Sequence, residues 1–322
     1  MKAIIAEQYG PPEILQLREV DRPVPKAGEV LVKVHATTVN RTDCGILWGK
    51  PFIVRFFTGL TKPKRPIPGT DFAGEVVALG KGVEHLQVGE RVFSFEDNVL
   101  SSHAEYLTIA AEKVRTIPEN IDFEQAAASV EGAHYAFNFI NKVPLQSGQR
   151  VLVNGATGAI GSAALQFLKH LGVEVTAVCN TKNIELIRSL GADRVIDYEK
   201  EDFTQDDQQY HFVFDAVGKS TFGKCRRLLL PGGVYISSEL GPGAQNPFLA
   251  LLTPWFGKKK VAFPLPVDIP RSLRFIRELL ESGAFRPVID RRYRLEEIAE
   301  AYRYVASGQK TGNVIIVVGQ EE

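Results

Sequence analysis

The sequence predicts an α/β protein in which a doubly wound parallel sheet is combined with a smaller, mostly antiparallel β-barrel. Residues 150–161 read RVLVNGATGAIG, a short apolar run with a glycine-rich turn, and a helical pattern follows directly. Strand and helix patterns then alternate as far as residue 238, which is typical of a parallel sheet with helices on both faces. Before residue 123 the chain instead carries short strand patterns separated by Gly, Pro and Asp, which favours an antiparallel barrel.

The clearest strand of the first part is EVLVKVHATTVN, residues 29–40, where a valine occupies every second position from Val30 to Val34. This period of two is that of a β-strand. From Phe123 to Asn141 the pattern becomes helical, and we expect one helix there that leads into the next domain. Further strands of the barrel are predicted at FAGEVVALG, ERVFSF and AEYLTIA.

The glycine-rich turn has features of a dinucleotide-binding loop. Gly155, Gly158 and Gly161 follow the first strand at a spacing of three, and glycine lets backbone N–H groups approach a pyrophosphate at the positive end of a helix. Read as G-x-G-x-x-G, the motif has Ala156 at its first position, so a purely structural turn is the alternative. Because strands and helices alternate around the turn, we interpret this part as a Rossmann-type domain. Its five strands are predicted at residues 151–153, 172–180, 194–197, 211–218 and 232–238.

The end of the second of these strands favours NADPH over NADH. In NAD-binding domains an acidic residue about 20 positions after the glycines accepts a hydrogen bond from the ribose 2′-hydroxyl. Asn180, Thr181 and Lys182 stand there instead, and a hydroxyl and an ammonium favour a 2′-phosphate. The alternative is that Lys182 is an ordinary solvated lysine.

After the fifth strand we expect an irregular segment, from Gly241 to Asp268, and then amphipathic helices at residues 272–283 and 295–308. The final apolar run, from Asn313 to Val318, is predicted to return to the first domain and complete its core. The predicted domains are therefore a barrel domain formed by residues 1–122 and 268–322 and a nucleotide-binding domain formed by residues 123–267.

The composition is that of an ordinary globular protein, with 44% apolar and 24% charged residues. Lys+Arg and Asp+Glu both total 38, which argues against a general attraction to nucleic acid or acidic membranes. Cys44, Cys179 and Cys225 are far apart in the sequence, which argues against a disulfide framework and favours a reducing compartment. No segment has the length and apolarity of a signal peptide or a membrane span. We therefore expect a cytoplasmic protein.

Five motifs occur in order across nearly the whole chain: VNRTD, PGTDFAGEV, GERV, GATGAIG and TGNVII. With this ordered set the sequence resembles the medium-chain dehydrogenase/reductase superfamily, and within it the zinc-independent quinone oxidoreductase, or zeta-crystallin-like, branch. The resemblance implies a GroES-like barrel domain, a Rossmann domain, NADPH as hydride donor and, commonly, a homodimer.

The resemblance also implies that no metal is bound. Zinc-dependent alcohol dehydrogenases of the superfamily have a Cys ligand where this chain has Asn40, a His where it has Thr70, and a second Cys near Val130. Three scattered cysteines cannot supply a four-cysteine structural zinc site, and no C-x-x-C or H-x₃-H spacing occurs. We expect a zinc-free protein.

Without a metal, hydrogen-bond donors must stabilise the negative charge that develops on the oxygen of a hydride acceptor, and one such donor contributes about 3 kcal/mol. The resemblance suggests Asn40 as a donor through its amide hydrogens. Asp43 is expected to orient the neighbouring backbone or Arg41, with a structural role as the alternative. His134 could donate a proton to an enolate or quinol oxygen, or be an ordinary buried histidine. Tyr135 and Glu131, on the same predicted helix, are weaker candidates.

The resemblance assigns the cofactor contacts in three groups. The pyrophosphate is expected at Thr157, Gly158, Ala159, Ile160 and Gly161. The adenosine 2′-phosphate is expected at Thr181, Lys182 and Tyr198, next to Asn180. The nicotinamide ribose is expected at Val217 and Gly218. For Tyr198 the alternative is a strand-end aromatic residue whose hydroxyl lies in water.

Two apolar, aromatic segments with basic neighbours, residues 50–64 and 248–260, are predicted to shape the acceptor pocket. Such a lining suits a flat apolar molecule, a quinone or an α,β-unsaturated carbonyl. For the second segment a lid, an interface and a peripheral membrane contact remain open. The function predicted is NADPH-dependent, metal-free hydride transfer to such an acceptor. The alternatives are a zinc-free alcohol or aldehyde oxidoreductase and a non-enzymatic NADPH-binding protein with a sensor or structural role.

Overall fold

A computed structural model of the chain describes residues 1–97, 99–265 and 268–319. The chain divides into two compact units. The first unit comprises Met1–Glu131, Ile269–Ser282 and the residues from Pro287 onward. The second unit comprises Gly132–Asp268 and Gly283–Arg286.

The described residues form both strands and helices in each unit. The strands are β1 (Lys2–Ile5), β2 (Gln16–Glu19), β3 (Glu29–Val39), β4 (Asp71–Leu79), β5 (Arg91–Phe95), β6 (Tyr106–Ala110), β7 (Arg115–Thr116), β8 (Arg150–Asn154), β9 (Glu174–Cys179), β10 (Arg194–Asp197), β11 (Tyr210–Asp215), β12 (Leu229–Ser237), β13 (Lys260–Ala262), β14 (Ile289–Arg294) and β15 (Asn313–Val317). The helices are α1 (Arg41–Trp48), α2 (Val54–Thr58), α3 (Phe123–Ala128), α4 (Glu131–Ile140), α5 (Ala159–His170), α6 (Ile184–Ser189), α7 (Phe222–Cys225), α8 (Gln245–Phe256), α9 (Ile269–Glu281) and α10 (Ile298–Ala306).

The first unit is organised around β3, which pairs antiparallel with β4, β6 and β15. Its sheet has the order β14-β15-β3-β4-β5-β7, with β6 also on β3, and only the β14–β15 pair is parallel. Val30, Val32 and Val34 are almost completely buried, as their period of two predicts. Because β15 pairs with β3, opposite Ala36 to Val39, the last strand completes the core of the first unit, as the sequence analysis predicted.

The second unit is a Rossmann sheet. Its six strands are all parallel, in the order β10-β9-β8-β11-β12-β13. Numbered from β8, this is 3-2-1-4-5-6, the order found in dinucleotide-binding domains. The five strands predicted from the sequence are present as β8 to β12. The strand order reverses between β8 and β11, and ligands of such sheets bind outside the carboxyl ends of the strands at that point.

Two expectations about local structure were wrong. The segment from Gly241 to Asp268 is not irregular, since it contains α8 and the edge strand β13, which pairs with β12. Its two prolines obscured the helix: Pro247 lies in the first turn, where the missing N–H is tolerated, and Pro254 lies near the end. The single helix expected over residues 123–141 is two helices, α3 and α4. Ser129 ends α3, where both its N–H and its hydroxyl donate to Ala126 O.

All three cysteines are buried and free. Across the described ranges of the chain, we find no helix with the length and apolar character needed to cross a membrane.

Candidate functional site

The glycine turn after β8, residues 155–161, forms a tight corner of the second unit, which we call the glycine corner. Gly155 has a positive φ of 79°, a conformation that favours glycine. At Gly161 a Cβ would lie 2.2 Å from Gly155 O, so only glycine lets α5 begin this close to the turn. At Gly158 a Cβ would meet only Gly155 O, at 3.6 Å. The outer side of the corner at Gly158 is therefore open.

This corner presents the N-terminus of α5, a helix of 12 residues. Gly158 is the N-cap residue and supplies no side-chain cap, and no acidic residue lies in the first turn. The first N–H groups of a helix have no intrahelical acceptor and, with the helix dipole, favour an anion. The residues predicted to bind pyrophosphate, from Thr157 to Gly161, thus lie together at a place suited to it. The contact itself stays a prediction.

Asp215, at the end of β11, organises the loop that follows it. Its Oδ1 accepts hydrogen bonds from Asn154 Nδ2 and Gly218 N, each at 3.0 Å. Its Oδ2 accepts from Ser220 N at 3.0 Å and Tyr235 OH at 2.9 Å. This buried carboxylate fixes the backbone of Gly218, where the nicotinamide ribose was expected. Asp215 was missed at the sequence level, although an acidic residue within the apolar run of a predicted strand was a usable signal.

Val217, the other residue assigned to the nicotinamide ribose, packs against the glycine corner. A Cβ on Gly155 would lie 2.7 Å from Val217 Cβ. The loop after β11 and the turn after β8 are therefore in direct contact, as the strand order requires.

The residues assigned to the adenosine 2′-phosphate lie together at the ends of β9 and β10. Thr181 Oγ1 donates to Asp197 Oδ2 at 2.6 Å, and Thr181 N donates to Glu199 Oε2 at 3.0 Å. Asn180 Oδ1 accepts from Asn183 Nδ2 at 2.7 Å. Lys182 is exposed.

Tyr198, from the same group, is 54% exposed. Its hydroxyl lies near the side chain of Asn180, and burial of the ring raises the pKa of the phenol. The sequence analysis found no acidic residue after β9, and that observation holds, but it overlooked Asp197 and Glu199 after β10. The fold brings these two carboxylates next to Thr181, and their negative charge disfavours a phosphate there.

The first unit holds a cluster of buried polar side chains, which we call the acid cluster. Its members come from the end of β3, the first turn of α1, the start of β4, the start of α4 and the segment before β15. They are Asn40, Asp43, Thr70, Asp71, Glu131 and Lys310. All but Lys310, which is half-buried, have less than 5% of their surface exposed.

Asp71 is the most completely hydrogen-bonded acid of the cluster. Its Oδ1 accepts from Thr38 N at 2.8 Å and from Thr37 Oγ1 at 3.2 Å, and its Oδ2 accepts from Thr38 Oγ1 at 2.5 Å. Burial nonetheless raises the pKa of Asp71 to about 6, because these donors only partly offset the lost hydration.

Asn40 is held on three sides. Its Oδ1 accepts from Lys310 Nζ at 3.2 Å, and its Nδ2 donates to Thr38 Oγ1 at 2.6 Å. Its backbone N–H donates to Asp43 Oδ2 at 2.8 Å, while Asp43 Oδ1 accepts from Thr70 Oγ1 at 3.3 Å. These contacts fix the orientation of the Asn40 amide, and they give Asp43 the backbone-orienting position expected for it.

Glu131 and Lys310 complete the cluster. Burial, and then the Asp71 carboxylate, raise the pKa of Glu131 to about 7, opposed by Thr42, Lys310 and Asn40. Glu131 Oε2 is buried and has no hydrogen-bond partner within the described ranges. Lys310 Nζ also donates to Gly312 O at 2.7 Å, and burial lowers the pKa of Lys310 although the surrounding acids oppose the change. Sequence reasoning missed Lys310, despite its position beside the TGNVII motif.

His134 belongs to the second unit and is completely buried. Its Nε2 lies 3.0 Å from Asn138 Nδ2, which donates to it. Burial lowers the pKa of His134 to about 4, although Asp268 opposes this. The ring is therefore neutral at pH 7 and has no imidazolium proton to donate there.

The two apolar segments expected near the acceptor both present aromatic side chains to the surface. Phe52, Phe56 and Phe57, in and before α2, are at least 60% exposed. On α8, Leu251 is 71% and Trp255 is 83% exposed. Neither surface is covered by the unit that carries it.

No group of three or more His, Cys, Asp or Glu side chains that could hold a metal ion occurs among the described residues. Asn40 and Thr70, which the resemblance found in the sequence places at zinc-ligand positions, make the hydrogen bonds given above. Burial raises the pKa of the neighbouring Cys44 thiol to about 12, and a neutral thiol is a poor metal ligand.

Comparison with known proteins shows likeness over nearly the whole chain. The family model of the alcohol dehydrogenase GroES-like domain matches residues 26–119, and that of the zinc-binding dehydrogenase matches residues 190–316. The 2-methylene-furan-3-one reductase of Solanum lycopersicum is 31% identical, over 98% of this chain and 79% of that protein. The chloroplastic NADPH-dependent alkenal/one oxidoreductase of Arabidopsis thaliana is 30% identical, with the same coverage. The structure of the quinone oxidoreductase from Coxiella burnetii matches with a TM-score of 0.88 and 25% identity, over 99% of each chain.

Proposed function

Since this chain belongs to the quinone oxidoreductase branch of the medium-chain dehydrogenase/reductase superfamily, we propose that it is an NADPH-dependent oxidoreductase that transfers a hydride to a quinone or an α,β-unsaturated carbonyl. The observation that carries the proposal is the open, uncapped N-terminus of α5 at the point where the strand order reverses. Relatives named as alkenal/one and quinone oxidoreductases match the chain over almost its full length.

The residues of the second unit fit NADPH. The first-turn amides of α5 would hold the pyrophosphate, with Thr157 beside them. Lys182 would bind the 2′-phosphate, with Thr181 and Tyr198 next to it, although the nearby Asp197 and Glu199 weaken this end. Val217 and Gly218 would lie at the nicotinamide ribose. When bound, NADPH supplies the hydride.

The first unit would stabilise the negative charge that develops on the acceptor oxygen. One hydrogen of the Asn40 amide is donated to Thr38, and the second faces the Glu131 carboxyl. We assign this second hydrogen to an acceptor oxygen bound beside Glu131, where it would contribute about 3 kcal/mol as negative charge develops. Asp43 positions Asn40 through its backbone N–H. His134 remains a proposed contact of the reactants as a neutral ring.

We propose that hydride transfer needs no zinc. Asn40 and Thr70 stand where the zinc-dependent relatives have ligands, and amide and hydroxyl groups rank below thiolate and imidazole as zinc ligands. Oxidation of a simple alcohol with NADP, undiminished by a chelator, would instead favour an alcohol dehydrogenase. Stoichiometric zinc in the purified protein, by elemental analysis, would contradict the proposal.

We further propose a homodimer in a reducing compartment such as the cytoplasm. The exposed apolar side chains of α8 support an interface between copies, and the three free, buried cysteines support a reducing environment.

The function is tested by following NADPH consumption with a panel of quinones, alkenals and enones. We expect turnover with at least one of these acceptors and slower turnover with NADH. NADPH binding without turnover on any acceptor would favour a sensor or structural protein instead.

A further inference from the structure

We propose that Glu131 is the acid that supplies the proton consumed when the acceptor is reduced, and that Lys310 compensates the charge left behind. The inference rests on the function proposed above, in which the Asn40 amide binds the acceptor oxygen. It is argued from the contacts of the acid cluster.

The acid cluster cannot be fully ionised. It contains three carboxyls, on Asp43, Asp71 and Glu131, and one ammonium, on Lys310; three negative charges and one positive charge would leave two buried negative charges without compensation. Such burial is costly, and closely spaced acids respond by keeping protons. At neutral pH the cluster therefore stores protons.

The hydrogen bonds single out the acid that can release a proton to a ligand. Both oxygens of Asp43 and both of Asp71 accept hydrogen bonds from groups of the chain. Glu131 Oε2 is buried without a partner in the described part of the chain. A buried polar atom without a partner costs about 1–3 kcal/mol. A protonated Oε2 lacks only an acceptor, and a ligand oxygen would provide it.

The position of Glu131 agrees with delivery to that ligand. Its carboxyl lies beside the Asn40 amide and the Thr42 hydroxyl, which favour its ionised form. An acceptor oxygen held by Asn40 would therefore lie near Glu131. His134 is less suited, because its ring is neutral at pH 7 and its Nε2 already accepts from Asn138.

The proposed step balances. Addition of a hydride to the carbon of a conjugated acceptor moves an electron pair onto its oxygen. That oxygen forms a bond to the proton of Oε2, and the electrons of the broken O–H bond stay on Glu131 as a carboxylate. The Lys310 ammonium compensates the new charge, and a solvent proton restores the acid for the next turnover.

The first experiment compares Glu131→Gln with the wild type and with Glu124→Gln, a surface acid in the first turn of α3. Wild-type kcat should fall as pH rises through about 7, the pKa of Glu131, because the acid loses its proton. In Glu131→Gln we expect kcat to fall about 100-fold, the usual contribution of a general acid, with this pH dependence lost and NADPH affinity unchanged. Glu131→Asp should recover part of the rate, and Glu124→Gln should match the wild type.

Infrared difference spectra give a readout that does not depend on activity. The wild type should show a protonated-carboxyl band that disappears as pH rises through about 7, and this titrating band should be missing in Glu131→Gln. The spectra remain informative if kcat is too low to measure. A Glu131→Gln protein that keeps a third or more of kcat, or keeps the pH dependence, overturns the role of Glu131. A wild type that is inactive with every acceptor instead overturns the function proposed above.

Discussion

The glycine corner and the acid cluster stabilise charge in different ways. The corner contributes backbone N–H groups from consecutive residues and has no ionisable side chain, so its attraction for an anion is independent of pH. The acid cluster buries three carboxyls and an ammonium from five separate segments, and its charge changes near neutral pH. Substitutions at the corner should therefore change stability and binding through steric contacts, independently of pH. Substitutions in the cluster should change them through the number of protons that the cluster binds.

The largest effect should come from Gly161→Ala. Its Cβ would lie 2.2 Å from Gly155 O, which is backbone and cannot move aside without distorting the turn. We expect a loss of about 1–3 kcal/mol in the free energy of unfolding and more than tenfold weaker NADPH binding, both independent of pH. Urea unfolding and NADPH fluorescence titration measure the two quantities.

The matched control for this substitution is Gly158→Ala, where a Cβ meets only Gly155 O at 3.6 Å and the φ of −74° suits alanine. It should fold with unchanged stability and lose only NADPH affinity. Equal loss of stability in the two variants would show that the corner does not act through the steric contact at Gly161.

The next largest effect is on the free energy of unfolding, and it should depend on pH. Burial raises the pKa of Glu131 from its ordinary value to about 7, so the folded state binds a proton that the unfolded state has released. Stability is therefore lost as pH rises from about 4.5 to about 7. Glu131→Gln removes this loss and should gain on the order of 2 kcal/mol relative to the wild type between pH 5 and pH 8.

Urea unfolding of both proteins at the two pH values gives this difference. The lowered pKa values of His103 and His134 act in the opposite direction at acidic pH and cancel in the difference between variant and wild type. That difference reports the titration of Glu131 together with that of Asp43, because the Glu131 charge contributes to the raised pKa of Asp43. Glu124→Gln should show no such trend. A pH-independent difference between Glu131→Gln and the wild type would mean that Glu131 is not protonated in the folded protein.

A smaller effect is expected at the adenosine end, where side-chain charge supplements the backbone. Lys182→Ala should weaken NADPH binding about tenfold, since a hydrogen bond to a charged group contributes about 1.5 kcal/mol, while NADH binding stays the same.

Glu199→Gln should strengthen NADPH binding about threefold, because it removes a carboxylate that occupies Thr181 N. Calorimetric titration with both coenzymes measures this, with the exposed Glu201→Gln as control. Equal changes in the affinities for NADH and NADPH would show that neither residue acts on the 2′-phosphate.

The smallest effect on stability should come from α8, which belongs to neither site. Replacing Leu251 and Trp255 together by Gln should change the free energy of unfolding by about 0.5 kcal/mol or less, since both side chains are exposed. If they form the proposed interface, the variant should be monomeric by light scattering where the wild type is dimeric. Binding of the wild type to anionic vesicles, lost in the variant, would indicate a membrane contact, and a raised KM for the acceptor with unchanged mass would indicate a lid.

The parts that were predictable from the sequence are those encoded by neighbouring residues. The five strands from β8 to β12 and the glycine corner follow from apolar runs and glycine spacing, and the return of β15 to the core of the first unit follows from a long apolar run that needed a buried position. That β15 pairs with β3 was not predicted. Helix α8 was missed because a proline inside a helix usually breaks it, and Pro254 lies inside α8. Pro247 lies in the first turn, where proline is tolerated. Residues 123–141 were assigned to one helix because the pattern of apolar residues does not reveal the break at Ser129.

The acid cluster was only partly predictable, for a different physical reason. Asn40 and Asp43 were candidates because a local motif contains them, and Glu131 was a weaker candidate on the helix that carries His134. Asp71 and Lys310 become important only when the fold buries them together. A pKa depends on burial and on neighbouring charge, and neither is visible along the chain. The same holds for Glu199, which approaches Thr181 from the end of another strand.

The place of β15 in the first sheet has a consequence for biosynthesis. This strand lies between β3 and β14, so the part of β3 from Ala36 to Val39 keeps an unpaired edge until β15 has been synthesised. The second unit comes from a nearly continuous stretch and can mature during translation, whereas β3 must wait for a strand that is made after the second unit. Until then, the exposed edge of β3 is the place where a nascent chain is most open to pairing with a neighbour, and where a chaperone would be of most use.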